Sequence, residues 1–321
     1  MAVKNAPTET SRAFPLTPRA VGRRGASRRG PRGEAALGYL FIMPLYAVFA
    51  AFVVYPVVTA IRYAFSRYQF LTGAPPHFNG LTNLHRWFTD DRVLGTFLTA
   101  VKYTAIYVPI STVYALVIAI LLDRVISRRI ATIYRILLYL PVVLPASIIF
   151  HVWKWMYDPT WGMFNQLLAY VGVPAQGWLS DPALALPSVA LSEVWHLTGI
   201  TMMLFLVGLN TIPRELNEAA MLDGASPWQV VRHITLPLLR PIFMLVLVLR
   251  IQSLGVVVPP LIMTAGGPIR TTTTYGLQAY FIAFRDTTWN IGYASLWFVM
   301  LALFSTVIAF VAWRALRAQE G

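Results

Sequence analysis

The sequence predicts an all-α integral membrane protein with six transmembrane helices. Three observations carry that expectation. The 321 residues are 57% apolar and 12% charged, with a mean hydropathy of +0.60; a soluble domain carries about twice that charge. Charge-free apolar runs recur at lengths near the ~20 helical residues that cross ~30 Å of hydrocarbon. Lys and Arg are segregated between alternate connections, the mark of a fixed orientation. The runs are too long for barrel strands and lack period-two alternation, and so little charge excludes a disordered chain.

The spans are expected at 36–61, 98–122, 134–155, 187–209, 241–263 and 290–313. Ala36–Ile61 carries no charge, and Tyr103–Leu122 is clean between Lys102 and Asp123. Ile136–Trp153 lies between Arg135 and Lys154, and Val194–Pro213 between Glu193 and Arg214. Pro241–Met263 is broken only by Arg250, and Thr287–Trp313 is again free of charge. Together 36–315 form the transmembrane domain. Residues 1–35, rich in Arg, Gly and Pro, read as a disordered basic tail, and 316–321 as a second tail. The first apolar run is too long for a signal-peptide core and leads into further spans, so no cleaved signal is expected. Pro44, Pro56, Pro109, Pro141, Pro145, Pro259 and Pro260 fall within spans, which is tolerable where neighbours satisfy the freed carbonyls.

With the N-terminus inside, seventeen Lys and Arg fall on the inner side and five (Arg67, Arg86, Arg92, Arg270 and Arg285) on the outer side. Both termini are therefore expected in the cytoplasm of a multi-pass inner-membrane protein. The formal charge of +13 is then mainly a topology signal, with the basic head close to anionic lipid. Aromatic interleaving is missing there, so no nucleic-acid partner is expected. There is no cysteine, which excludes disulfides, thiol nucleophiles and Cys-based metal centres. The five histidines show no metal-ligand spacing, and no nucleophile elbow occurs.

The connection 210–240 between the fourth and fifth spans is too long for a turn. Pro213 suits a first helical turn, and helix-compatible residues run from Arg214 to Asp223. Gly224 supplies a stop. Ser226, Pro227 and Gln229 then form a capping-box start, and Pro237 is expected to end the second helix. Two short helices bent about Gly224, outside the membrane, suit docking to another protein.

At this loop the sequence resembles the permeases of binding-protein-dependent ABC importers. Glu218-Ala219-Ala220, three residues, Gly224, nine residues, Ile234, one residue and Leu236-Pro237 match the EAA motif of that family. Asn217–Ala225, the segment from Leu140-Pro141 to Leu168, and Thr264-Ala265-Gly266-Gly267-Pro268 through Gly292-Tyr293-Ala294 look like its carbohydrate-importer branch. The resemblance implies a partner permease of the same kind, two cytoplasmic ATPases and an extracytoplasmic substrate-binding protein. It implies that the loop acts as a coupling helix, with Glu218 and Asp223 on the docking surface, Ala219 and Ala220 beside them and Gly224 setting the bend. ATP-driven motion of the partners would rock the spans between inward- and outward-open states. A P-loop needs a lysine after glycine. Only Lys4, Lys102 and Lys154 exist and none follows glycine. No cofactor is therefore expected in this chain, and ATP and Mg²⁺ would belong to the partner ATPases.

Charge inside a bilayer is expensive and usually faces a pathway or a partner. Arg250 falls about halfway along the fifth span. Glu193 sits about two turns into the fourth, with His196 three residues on and Trp195 offering a stacking face. Gln252, Ser253, Asn210 and Thr201 add polar groups. Arg250, Gln252, Glu193, Trp195, His196 and Asn210 are the candidate pathway residues, against a rival reading in which Arg250 and Glu193 form an ion pair between packed spans. Lys154 and Asp158 suggest a second, peripheral pair. The fifth span departs from the branch, because Gly255-Val256-Val257-Val258-Pro259-Pro260 lacks its usual aromatic and acidic residues and the proline pair should unwind its outer third. Uptake of a sugar phosphate or glycerol phosphate, an ion-driven secondary transporter and a scaffold with no pathway stand as alternatives.

Overall fold

The computed structural model describes residues 31–317 apart from 126, 286 and 288. Most of the predicted basic tail and the last four residues of the chain therefore lie outside the described residues. The chain divides into two units, 1–55 and 56–321. In the first, α1 (Pro31–Phe49) begins five residues before the expected span and is followed by a π-helical turn, Ala50–Val54. Its apolar side chains from Tyr39 to Val54 are largely exposed, as a lipid-facing surface would be.

The second unit opens with α2 (Tyr55–Ala64) and a two-residue antiparallel ribbon, β1 (Ser66–Arg67) with β2 (His77–Phe78). Next come α3 (Thr82–Phe88), the 32-residue α4 (Arg92–Asp123), α5 (Arg128–Val143) and α6 (Ala146–Met156). After α7 (Met163–Tyr170), the long α8 (Ala185–Leu209) leads into α9 (Arg214–Leu222) and α10 (Pro227–Val230). The fifth span begins after α11 (Leu236–Leu238) with α12 (Arg240–Arg250) and continues past a 3₁₀ segment to α13 (Val258–Met263). The chain closes with α14 (Tyr275–Phe284) and α15 (Ile291–Arg317).

Among the described residues, five helical stretches are long and apolar enough to cross a membrane, or six if a bent pair is counted as one span. That pair corrects the third span. Instead of one helix over 134–155, α5 and α6 meet at 98° about Leu144-Pro145. The proline excludes Leu144 from the helical region, and Leu144 lies at φ −74°, ψ 145°. The fifth span is corrected too. Its break falls at Val256 (φ −56°, ψ 131°) and Val257, ahead of the prolines, and Pro259-Pro260 sit in the first turn of α13. A proline there gives up only an N–H that has no helical partner. The carbonyl freed at Val256 accepts a 2.6 Å hydrogen bond from Thr274 Oγ1, the same hydroxyl that caps α14.

The connection between the fifth and sixth expected spans contains α14, whose Tyr275, Leu277, Ala279 and Ile282 are wholly buried against α15 and α4. Trp87 Nε1 donates to the Tyr275 hydroxyl at 2.9 Å, tying α3 to it. Beside this contact, Asp90 accepts from Arg92 Nε at 2.8 Å, Arg92 Nη2 at 2.7 Å and the Tyr293 hydroxyl at 2.8 Å. Burial works against ionisation of Asp90. The Arg92 side chain, the Tyr293 hydroxyl, the Arg92 backbone N–H and the Arg92 charge outweigh it and hold the carboxyl down to about 2.

Helix α8 is the centre of the unit, packed on α4, α5 and α12. Small residues permit the approach, since a Cβ on Gly199 would lie 2.5 Å from the Leu138 carbonyl oxygen of α5. Two apolar clusters stack along it. Tyr103, Phe150, Val189 and Met263 fill one half, and Ala115, Met202, Phe205 and Leu239 the other.

Candidate functional site

The loop after α8 is built as the spacing predicts up to Val230. Helix α9 ends in a Schellman turn. Gly224 takes φ +85°, while Gly224 N donates to Met221 O at 3.1 Å and Ala225 N to Ala220 O at 2.9 Å. Ser226 and Gln229 form the capping box in both directions, at 2.7 and 3.4 Å. Pro237, however, does not end the helical run. A π-helical turn, Val231–Thr235, precedes it and α11 continues through it; the wide turn absorbs the missing proline N–H. Glu218, Ala219, Asp223 and Gly224 are exposed, and Ala220 is half-buried. They stand beside uncovered apolar side chains: Leu222 is 90% exposed, Trp228 66% and Met221 54%. The element is anchored by Arg124, at the end of α4, whose Nη2 reaches Pro227 O at 3.5 Å.

The polar groups inside the bundle are arranged differently from either sequence reading. Arg250 donates to the Tyr107 and Thr201 hydroxyls and, at 3.3 Å, to Leu197 O. Its guanidinium also lies 5.3 Å from the Tyr107 ring centroid, a cation–π contact. Glu193 instead accepts from the Tyr103 hydroxyl. Among the described residues the ion pair is Arg92–Asp90, so neither the Arg250–Glu193 pair nor the Lys154–Asp158 pair forms. Asp158 turns to the Thr160 and Trp161 N–H groups, at 2.9 and 3.1 Å. Tyr103 and Tyr107, one turn apart on α4, stack at 5.9 Å and place the two contact sets side by side.

The other pathway candidates scatter. His196 is buried with its ring edge-on to Phe150 at 5.5 Å, a packing position. Trp195 is exposed beside Trp153, 5.8 Å away, in an apolar groove with Tyr114, Tyr157 and Phe164. Gln252 is exposed on the 3₁₀ segment. Asn210 caps the far end of α8, seventeen residues and roughly 25 Å from Glu193, and does not join them. Sequence reasoning missed Tyr103 and Tyr107 as partners. Their signal was two tyrosines at i and i+4, on one face of α4. It also missed Thr104 paired with Ser253 at 3.0 Å.

This geometry sets a prediction. A double-mutant cycle of Arg250→Met with Thr201→Val should show coupling of about 0.5–1.5 kcal/mol in the unfolding of the purified complex. The cycle with Glu193→Gln should show less, because Gln still accepts from Tyr103. Greater coupling to Glu193 would restore the ion pair.

A helical bundle with broken spans and an exposed paired-helix loop is an architecture that membrane transport subunits use. Residues 111–319 match the family described as the binding-protein-dependent transport system inner membrane component. The chain is 33% identical over 249 residues to the trehalose/maltose transport system permease protein MalF of Thermococcus litoralis, covering 77% of this chain and 83% of that one. It is 30% identical over 291 residues to the sulfoquinovosyl glycerol transport system permease protein SmoG of Agrobacterium fabrum, covering 90% and 92%. In fold it is similar to a bacterial ABC transporter chain involved in import of the acidic polysaccharide alginate, with TM-score 0.72 over 89% of this chain and 96% of that one at 21% identity. The chain belongs to the binding-protein-dependent ABC importer permeases, a family of transport subunits in the inner membrane.

Proposed function

We propose that this chain is one of two permease subunits lining the pathway of an ATP-driven carbohydrate importer. The observation that carries the reading is the α9–Gly224–α10 element. Exposed carboxylates and uncovered apolar side chains stand together on a capped, bent scaffold, and that scaffold is fixed to the ends of α4 and α8, the two helices that pack most closely. Such a surface suits a cleft on a partner ATPase. The partners bind ATP and Mg²⁺, a homologous permease completes the pathway, and an extracytoplasmic binding protein delivers cargo to the opposite end. The relatives' names, trehalose/maltose and sulfoquinovosyl glycerol, support a saccharide as cargo.

The glycerol-phosphate alternative rested on Arg250 as an anion partner. Its three hydrogen bonds within the subunit leave that role without support. The complex reconstituted in liposomes should take up saccharide only with ATP and the binding protein. Uptake by the chain alone, driven by an ion gradient, would favour a secondary transporter.

In this reading both termini and α9–α10 are cytoplasmic. Leu222→Cys, where the native side chain is 90% exposed, should be shielded from an impermeant thiol reagent added outside intact cells. Tyr170→Cys, where the native side chain is 88% exposed at the end of α7, should react. Labelling of the first from outside overturns the orientation.

A further inference from the structure

A cavity of about 800 Å³ opens at the end of the bundle opposite α9–α10. Its walls are the first four turns of α4, the start of α8 and the 269–273 segment. The floor is apolar, with Ala105, Ile106, Leu186 and Pro187. Four charged residues line it: Asp91, Arg92, Lys102 and Arg270. Arg92 is engaged with Asp90 at 2.7 Å. Arg270 donates to Gln278 Oε1 at 2.8 Å and keeps its full charge, since the acceptor is a neutral amide. Lys102 has no hydrogen-bond or ion-pair partner among the described residues.

Lys102 stands about three turns into α4, next to the charge-free run Tyr103–Leu122, and lines the cavity. An ammonium beside apolar walls draws in water, a counter-charge or a ligand. Cationic charge in a cleft with low-dielectric walls focuses its field into the cleft.

We propose that this cavity is an entry vestibule selective for acidic saccharides, in which Lys102 and Arg270 recognise a carboxylate, sulfonate or phosphate on the cargo. The assignment rests on the transport reading above and adds the substrate class. The apolar floor suits the C–H faces of a sugar ring, and the two cations suit its charged substituent. An anionic lipid headgroup shares that chemistry, so the test separates the two sources.

The chain has no cysteine of its own, so Thr99→Cys, on the α4 wall, gives this subunit a single thiol, and labelling is read on this subunit after it is separated from its partners. The assembled complex carrying T99C is reconstituted in phosphatidylcholine and treated with an anionic and a cationic methanethiosulfonate of similar size. The anionic reagent should react about tenfold faster, and the preference should shrink in high salt. Glucuronate should slow the reaction and glucose should not. Adding Lys102→Gln should equalise the two rates and remove the protection, whereas Lys102→Arg should keep both.

Equal rates in the T99C complex, or an unreactive cysteine, overturn the proposal. Slowing by added phosphatidylglycerol but not by glucuronate would give the site to lipid and overturn it as well. ATP-driven saccharide uptake is measured on the wild-type complex. Its absence tells against the transport reading, whereas wild-type uptake with no charge preference at T99C defeats this inference alone.

Discussion

Gly276→Ala is expected to abolish recovery of the folded subunit. A Cβ at this position would stand 2.3 Å from the Gly255 carbonyl oxygen and 3.1 Å from the Gly255 Cα. Both neighbours are backbone, so no side chain can swing aside. Helix α14 would have to lift off the 3₁₀ segment, and Tyr275, Leu277 and Ile282, all wholly buried, would lose their packing. Overpacking typically costs 1–3 kcal/mol, and a backbone clash exceeds that range, against a total stability of about 5–15 kcal/mol. Gly95→Ala is the control. Nothing lies within 4 Å of its Cβ position, and alanine raises helix propensity by about 1 kcal/mol. Size-exclusion chromatography and thermal midpoints in detergent check both. A wild-type midpoint for the Gly276 variant would mean that α14 does not pack as described.

Glu218→Lys should cut ATP-driven uptake at least tenfold while leaving the subunit folded. The carboxylate is exposed and takes no hydrogen bond or ion pair from the described residues, so reversing its charge costs the subunit itself little. At a docked surface the same reversal places like charges together and is strongly unfavourable. ATPase activity should stop responding to the loaded binding protein. Normal assembly with uptake at the wild-type rate would remove Glu218 from the docking surface.

Local chemistry explains what was legible in the sequence. Gly224 and the Ser226–Gln229 box declare themselves because caps are made within a few residues, and the loop follows them closely. Hydropathy finds apolar runs of spanning length because it measures the solvent and not the path. It is blind to geometry inside a span, so 134–155 scored as one helix although Leu144-Pro145 turns it by 98°. Likewise α14 was hidden because a ten-residue apolar helix is too short to register as a span. Prolines were misread twice: Pro237 is carried inside a continuing helical run by the π-helical turn ahead of it, and Pro259-Pro260 sit in the first turn of α13, where they cost little. Arg250 and Glu193 were rightly marked as polar groups within the bundle. Their partners were not legible, since Tyr107 and Thr201 lie 143 and 49 residues away along the chain from Arg250.

The interrupted fifth span has a mechanical consequence. A continuous helix is a stiff rod, and a push at one end arrives at the other. Helix α8 is such a rod, 25 residues without a break, and it joins the docking loop to the far end of the bundle. The fifth span leaves the same loop but loses its helical bonding at Val256-Val257, just beyond the point where Ser253 is pinned to Thr104. Force entering both helices from one partner is therefore delivered to two different depths. Helix α8 carries it across the full thickness, while the fifth span spends it against α4 near mid-bundle. Beyond the break, α13 packs on α6 and α8 and is tied through Val256 to Thr274 at the start of α14, so its position is set by those neighbours and not by α12.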